Sequence, residues 1–364
     1  MPSLQSFDAF VKSTGPKILT GPDQILNDAT KNTYTIGRML RGSDAAKIIG
    51  SGNAIEDRVQ LEDAGTFEFY NPNEDLDVQN VDTIEKIKAD WRFATDHYSY
   101  TEQEVKLNSG DAQTYYKNLL KSKRQGCKTS IYNGMEAALW TAPSNSDMEA
   151  SSGKKPYSIP ALVTRDGLAP TGFTTIHQLN PTNLTGWRNQ TERYNPAAVA
   201  DPDDGLLKAM RRMWHKVKFT APTGGMKEYF ESDRLQKMVI ATNLDGIGVL
   251  ERLTQDANDR LVPAADIGWV AGKVVFNGIP VDYINELDTA TINSGSAIAT
   301  GEPWFYFLNL MYLHPIFHRD EYMAEKEPMP AGPRQPFTRV VWTSIYYQLL
   351  MRSRRRQGLV SPAE

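Results

Sequence analysis

Several places in the sequence bring together residue types that could do chemistry. Gly246-Ile247-Gly248 follows the apolar run Met238–Ala241 and opens an amphipathic stretch. That is the strand–glycine–helix order in which backbone amides cradle a pyrophosphate. The third glycine of the pattern is replaced by Glu251, whose carboxylate would repel a diphosphate, so the spacing reads as a tight turn into a helix. His314 and His318 stand four apart with Asp320 and Glu321 close by, a spacing that can hold zinc on a helix. Pro315 lies between them and opposes a helix interior, and no glutamate follows His314, so a turn leaving an aromatic strand accounts for the set. Gly153-Lys154-Lys155 has Met148 where a phosphate-cradling loop needs its earlier glycine. Cys127 falls on the apolar side of a helical pattern, as a buried thiol does. No Ser occupies a Gly-x-Ser-x-Gly elbow, His97 beside Asp96 has no nucleophile pattern, and His177 and His215 have no acid close in sequence. The expectation is a protein with no catalysis, no cofactor and no metal.

Composition agrees with that expectation. The chain has 364 residues, 40 Lys plus Arg against 44 Asp plus Glu, and one cysteine. A length of this order accommodates two or three domains. A single cysteine excludes an intrachain disulfide and cysteine-rich metal sites, and points to a reducing compartment. The opening Met-Pro-Ser-Leu with an early Asp8 reads as no secretory signal. The most apolar stretch, Trp304–Phe317, is interrupted by Asn309, His314 and Pro315 and is short of the roughly 20 apolar residues a span needs. A soluble protein with no membrane partner is expected. A net charge of −4 argues against the whole chain being a general nucleic-acid binder.

The elements that would position these residues follow from periodicity. Residues 1–55 have weak periodicity and read as an extended arm with one or two short helices. Residues 56–85 hold ten acids and one base, Arg58. Within them Thr66–Tyr70 alternates at strand period, before the turn Asn71-Pro72-Asn73. Ile84–Tyr100 then carries β-branched and aromatic residues, so together these pieces read as a long hairpin, with a helix over Ile84–Trp91 as the competitor. Gln113–Trp140 carries Tyr116, Leu119, Leu120, Cys127, Ile131, Met135, Ala138 and Leu139 at helical steps, and Pro143 closes it. Ser144–Lys155 reads as an exposed linker and Ile159–Val163 as a short strand. Helices are expected over Asp204–Lys218 and Gly246–Arg260. Strands are expected over Leu235–Thr242, Lys273–Ile284 around Asn277-Gly278, Glu302–Met311 and Thr338–Arg352. No repeat appears, and without regular strand–helix alternation the fold class is α+β.

Particular stretches give this order a likeness. "SIYNGMEAALWTA" (130–142) ends the long basic helix, and "GLAPTGFTTIHQLNPTNLTGWRNQTERY" (167–194) follows. "GKVVFNGIPVDYIN", "EPWFYFLNLMYLHPIF" and a late strand ending in "RSRRRQGL" complete the succession. From about residue 55 to 360 it resembles the major capsid proteins of tailed bacteriophages, built on the Hong Kong 97-type fold. The resemblance implies an N-terminal arm at 1–55 and an extended loop at 56–105. It implies a peripheral domain at 106–160 and 331–364, with a spine helix at 113–140 and the C-terminal strand, and an axial domain over most of 161–330. It further implies self-assembly into pentamers and hexamers of an icosahedral shell around double-stranded DNA. Portal, scaffold or decoration proteins would be further partners, with the virion as location after assembly in the host cytoplasm. The alternatives are an encapsulin-like compartment shell and, from another class, a soluble metal- or nucleotide-dependent enzyme.

Charge suggests how copies would meet. The acids of the loop, among them Glu62, Asp63 and Glu68, face a helix bearing Lys117, Lys121, Lys123, Arg124 and Lys128; one subunit's loop is expected across the next subunit's helix. Arg352, Arg354, Arg355 and Arg356 fall in a C-terminal stretch without acids between Glu327 and Glu364 and are expected to face the genome through phosphate. A solvated strand end or an intersubunit ion pair is the competing reading of that run. Trp187 and Arg188 read as the anchor of the 167–194 loop, since a Trp contributes mainly by the area it buries.

Overall fold

Met238-Val239-Ile240-Ala241-Thr242 is five buried residues in a row, the mark of a strand covered on both faces. The larger sheet of the computed structural model is built around it. The structure describes residues 35–41, 47–62, 65–71, 82–107, 113–201, 205–218, 238–259, 267–270, 273–289, 291–292, 296–297 and 302–363. In chain order they form α1 (Thr35–Arg41), β1 (Lys47–Ile49), β2 (Ala54–Gln60), β3 (Ile84–Asp90), β4 (Arg92–Thr101), α2 (Glu102–Leu107), α3 (Gln113–Leu139), α4 (Asn145–Met148) and α5 (Ile159–Leu162). Then come β5 (Gln190–Tyr194), α6 (Leu206–Val217), β6 (Met238–Thr242), α7 (Leu244–Asp259), β7 (Ile267–Val270), β8 (Lys273–Phe276), β9 (Ile279–Tyr283) and α8 (Glu286–Thr289). The last strands are β10 (Thr291–Ile292), β11 (Ser296–Ala297), β12 (Phe305–Asn309), β13 (Leu313–His318), β14 (Ala324–Glu325), β15 (Met329–Pro330), β16 (Thr338–Met351) and β17 (Gly358–Pro362). The described residues divide into two units, one of 96–130 and 325–342, the other of the remainder.

In the larger unit a seven-stranded sheet runs β5-β17-β12-β6-β9-β8-β7. Register places Phe307 opposite Ile240, and Ile240 beside Val281. With α6 and α7 these strands bury one apolar cluster that includes Met210, Met213, Ile240, Leu250, Phe276, Phe305, Phe307 and Val360. A Cβ on Gly358 would collide with the Met213 sulfur, so glycine is what lets α6 lie so close on β17. Asn277 and Gly278 both have positive φ, 47° and 80°, as the tight turn joining β8 to β9 requires.

The 14-residue β16 passes through both units. Its C-terminal half pairs with β13, which carries β1 on its far side; β4, β14 and β15 also pair with β16. In the smaller unit, Thr101 and Glu104 cap α2 reciprocally, at 3.2 and 3.1 Å, and Arg339 grips Glu102 at 2.7 Å. Cys127, Ile131, Met135 and Leu139 are buried at four-residue steps along α3, one stripe of a helix.

Several expectations are corrected. The long hairpin forms between β2 and β3, with Ala54–Gln60 in place of Thr66–Tyr70 as its first strand, and the run Ile84–Tyr100 divides at buried Trp91 into β3 and a separate β4 that pairs with β16. Thr66–Tyr70 alternates in sequence but forms no strand and is exposed; among the described residues no strand pairs with it. Ile159–Val163 starts as the helix α5, with Pro160 in its first turn, where a missing N–H costs nothing. Ser144–Lys155 is no loose linker: Met148 is buried, and buried Arg92 donates to the carbonyls of Met148, Ala150 and Lys155 at 2.7, 2.8 and 3.2 Å. His314 and His318 lie on β13, a strand where a turn was expected.

Candidate assembly surfaces

The strands β2 and β3 make an antiparallel ribbon with Asp57 opposite Ile87 and Glu56 opposite Lys88. One face is apolar at the base, through Ile55, Ile87 and Ala89. The Lys88 amide donates to the His177 carbonyl at 3.1 Å, and Asp57 pairs with Arg352 at 2.7 Å. The ribbon base is therefore fixed, while its other face is exposed. That face balances its own charge: Lys86 pairs with Glu56, and this contact holds the Glu56 carboxyl below the usual carboxylate range. The acidic count over 56–85 stops just short of Lys86 and Lys88, which answer part of it.

Beyond the ribbon, residues 65–71 project an aromatic group. Phe67, Phe69 and Tyr70 are 82%, 91% and 66% exposed, and the rings of Phe67 and Phe69 meet edge to face at 5.0 Å. Glu62 and Glu68 are exposed here; Asp63 lies outside the described residues. Large exposed aromatics gathered on one loop mark a surface that meets a partner.

On α3 the expected basic row is only partly available. Lys123 donates to Glu104 at 3.3 Å and to the Ser99 carbonyl at 3.0 Å. Arg124 pairs with Glu325. Both are fixed within their own chain, because β4, α2 and β14 bring acceptors that linear sequence does not display. Lys121 is exposed and Lys128 half-buried; the Lys117 side chain lies outside the described residues.

The C-terminal arginines separate more sharply. Arg354 is fully buried and donates to the carbonyls of Leu162, Trp187 and Leu168 at 2.8, 2.9 and 3.1 Å and to Asn189 Oδ1 at 3.0 Å. Burial pulls its pKa down to about 9, so it stays charged at neutral pH. It cannot face a genome; it knits the loops around residues 162–168 and 187–189. Arg352 is held by Asp57, and Arg356 lies over the Tyr312 ring at 4.3 Å. Arg355 is exposed.

Around Arg354 the 167–194 loop is folded inward. Trp187 is buried, and its indole donates to the Ile176 carbonyl at 3.2 Å. Arg188 donates to the carbonyls of Pro181 and Thr182 at 2.7 and 2.9 Å. His177 is buried between Tyr157 and Trp187 and accepts the Met351 amide at 3.3 Å. Burial, with added repulsion from Arg354, lowers its pKa to about 3.

Sequence reasoning missed one further anchor. The buried carboxylate of Glu136 takes the amides of Thr35 and Ile36 at 3.0 and 2.9 Å and the Trp140 indole at 3.0 Å, capping α1 from α3. Burial raises this carboxyl above the usual carboxylate range. Arg38 reaches Asp282 at 2.8 Å, so α1 is held at its N-terminus and again at its middle. Among the described residues no cluster of three or more His, Cys, Asp and Glu could hold a metal, and no helix is long and apolar enough to cross a membrane.

No family model and no curated protein matches the chain. Solved structures do. A subunit of the cyanophage A-1(L) capsid aligns over 95% of this chain and 97% of its own, at 12% identity and a TM-score of 0.55. A chain from Mycobacterium phage Bobi aligns over 97% and 98%, at 12% identity and a TM-score of 0.52. A chain of the capsid of a native GTA particle aligns over 97% and 99%, at 10% identity and a TM-score of 0.50. At such identities the likeness is one of fold, and it spans whole chains. The fold is the α+β Hong Kong 97-type fold of phage major capsid proteins.

Proposed function

We propose that this chain is the major capsid protein of a tailed double-stranded DNA bacteriophage. In this reading its pentamers and hexamers build an icosahedral shell around the genome, without catalysis, and the virion is its location. The observation that carries the reading is the end-to-end likeness in fold to a cyanophage capsid subunit, joined to an aromatic loop whose Phe67, Phe69 and Tyr70 are exposed. Residues 1–55 serve as the arm, 56–105 as the extended loop, 106–160 with 331–364 as the peripheral domain and 161–330 mostly as the axial domain. Portal, scaffold or decoration proteins complete the particle.

At the contact between copies, Phe67, Phe69 and Tyr70 supply the buried area. Glu62, Asp63 and Glu68 set register against Lys117, Lys121 and Lys128 of the next spine helix. Exposed ion pairs contribute only about 0–1 kcal/mol each, so the aromatics dominate. Repeated heterologous contacts of this kind close into rings.

Size-exclusion chromatography tests the reading: the purified chain elutes at megadalton size if it builds shells, and elution as a monomer refutes it. Nuclease-protected DNA inside particles made during infection supports a capsid; particles filled with protein instead would indicate a cellular compartment.

A further inference from the structure

The helix α6 carries a charge pattern that none of the surfaces above uses. Its inner face, Leu206, Ala209, Met210, Met213 and Val217, is buried against the seven-stranded sheet. No acid occurs between Gly205 and Lys218. The outer face holds Lys208, Arg211, Arg212 and His215 at positions i, i+3, i+4 and i+7, one stripe of a helix, with Lys218 just past its end. Arg211, Arg212, His215 and Lys218 are exposed and Lys208 is half-buried. Lys216 lies off this stripe and pairs with Glu192 of β5 at 2.7 Å.

His215, Lys216 and Lys218 sit where cations complement the helix dipole. Arg212 lies too far toward the N-terminus for that account. From Lys208 to His215 the helix rises about 11 Å at 1.5 Å per residue. Over that length a DNA duplex presents about six phosphate charges, one per roughly 1.7 Å.

We infer that the outer face of α6 is a nucleic-acid contact that grips the phosphate backbone without reading bases. A protein partner is the poorer fit, because the cores of protein interfaces are depleted in Lys and built on apolar and aromatic anchors. The only aromatic on α6, Trp214, is turned to Phe276 at 6.4 Å. Phosphate recognition needs no such anchor, and Arg suits it through its planar fork of donors. The inference rests on the capsid reading for the source of the nucleic acid. It also moves the genome contact away from Arg352, Arg354 and Arg356, which are engaged within the chain.

The test measures fluorescence anisotropy of a short labelled DNA duplex of arbitrary sequence with the full-length unassembled chain, across a salt series. Arg212→Gln with Lys218→Gln is expected to weaken binding equally for unrelated sequences. The slope of log K against log salt should become less negative by about 1.8, at 0.9 for each phosphate no longer neutralised. Arg355→Gln is expected to leave the slope unchanged. Should the double variant lose its native circular dichroism, Lys218→Gln alone, just past the helix end, is expected to change the slope by about 0.9. Duplex binding unaffected by a folded α6 variant overturns the inference. So does a variant that binds the duplex normally yet no longer assembles, which would assign the stripe to an acidic segment of another copy. Failure of the wild-type chain to build shells counts against the capsid reading alone, since duplex binding is measured without assembly.

Discussion

Replacing Arg354 by Met keeps most of the side-chain volume and removes the guanidinium. Four acceptors then lose a hydrogen bond: the carbonyls of Leu162, Leu168 and Trp187, and Asn189 Oδ1. Leu168 O and Asn189 Oδ1 keep Thr164 as a donor, at 2.7 and 3.1 Å, so two carbonyls, those of Leu162 and Trp187, are orphaned; at about 1–3 kcal/mol for each buried acceptor left unpaired, even the lower end gives a loss of about 2 kcal/mol. Removing a charge that burial disfavours returns some of this. Asn189 still holds Thr164 through its amide at 2.8 Å, so the loop should loosen while part of its framework persists. Urea unfolding of the unassembled chain, followed by tryptophan fluorescence, reads the difference directly. Arg355→Gln serves as the matched control, expected within about 0.5 kcal/mol of wild type, as for surface substitutions generally. If Arg354→Met and Arg355→Gln prove equally mild, the C-terminal arginines are alike, and the division between a structural Arg354 and its exposed neighbour is wrong.

Other consequences follow from the same geometry. His177 has a folded pKa near 3 against about 6.5 when unfolded. Its contribution is therefore complete above pH 6.5 and is lost as pH falls toward 3, at up to about 1.4 kcal/mol per unit; His177→Asn should flatten that part of a stability–pH curve, and an unchanged slope counts against the burial of a neutral imidazole. Phe67→Ser with Phe69→Ser should abolish shell formation while leaving urea stability within about 0.5 kcal/mol; normal shell yield would show that the aromatic loop is not a contact. Glu136→Ala removes the acceptor of two α1 amides and the Trp140 indole and should expose Thr35–Arg41 to limited proteolysis, with Glu136→Gln intermediate; equal resistance in all three chains would mean that the cap does not hold α1.

Elements with a strong local period were legible from sequence. The α3 stripe, the uninterrupted β6 run and the Asn277-Gly278 turn each depend on neighbours a few residues away. Contacts set by tertiary partners were not legible. Arg354 looks like one member of a basic run, and only the carbonyls of residues 162–187 make it a core residue. Lys123 and Arg124 look like free charges until Glu104 and Glu325 arrive from distant strands and helices. The alternation at Thr66–Tyr70 was real but has no strand to pair with among the described residues, so strand period alone could not make a strand. The α6 stripe was visible as a helix of the right length; its outer charge is spread along the helix and stands out less in sequence than the denser arginine cluster at the C-terminus.

Electron cryo-microscopy of the purified, assembled protein tests the central claim most directly. The account predicts closed icosahedral particles of pentamers and hexamers in which Phe67 and Phe69 of one subunit are covered by its neighbour. A chain that stays monomeric at all concentrations, or particles in which that loop points into solvent, would contradict it.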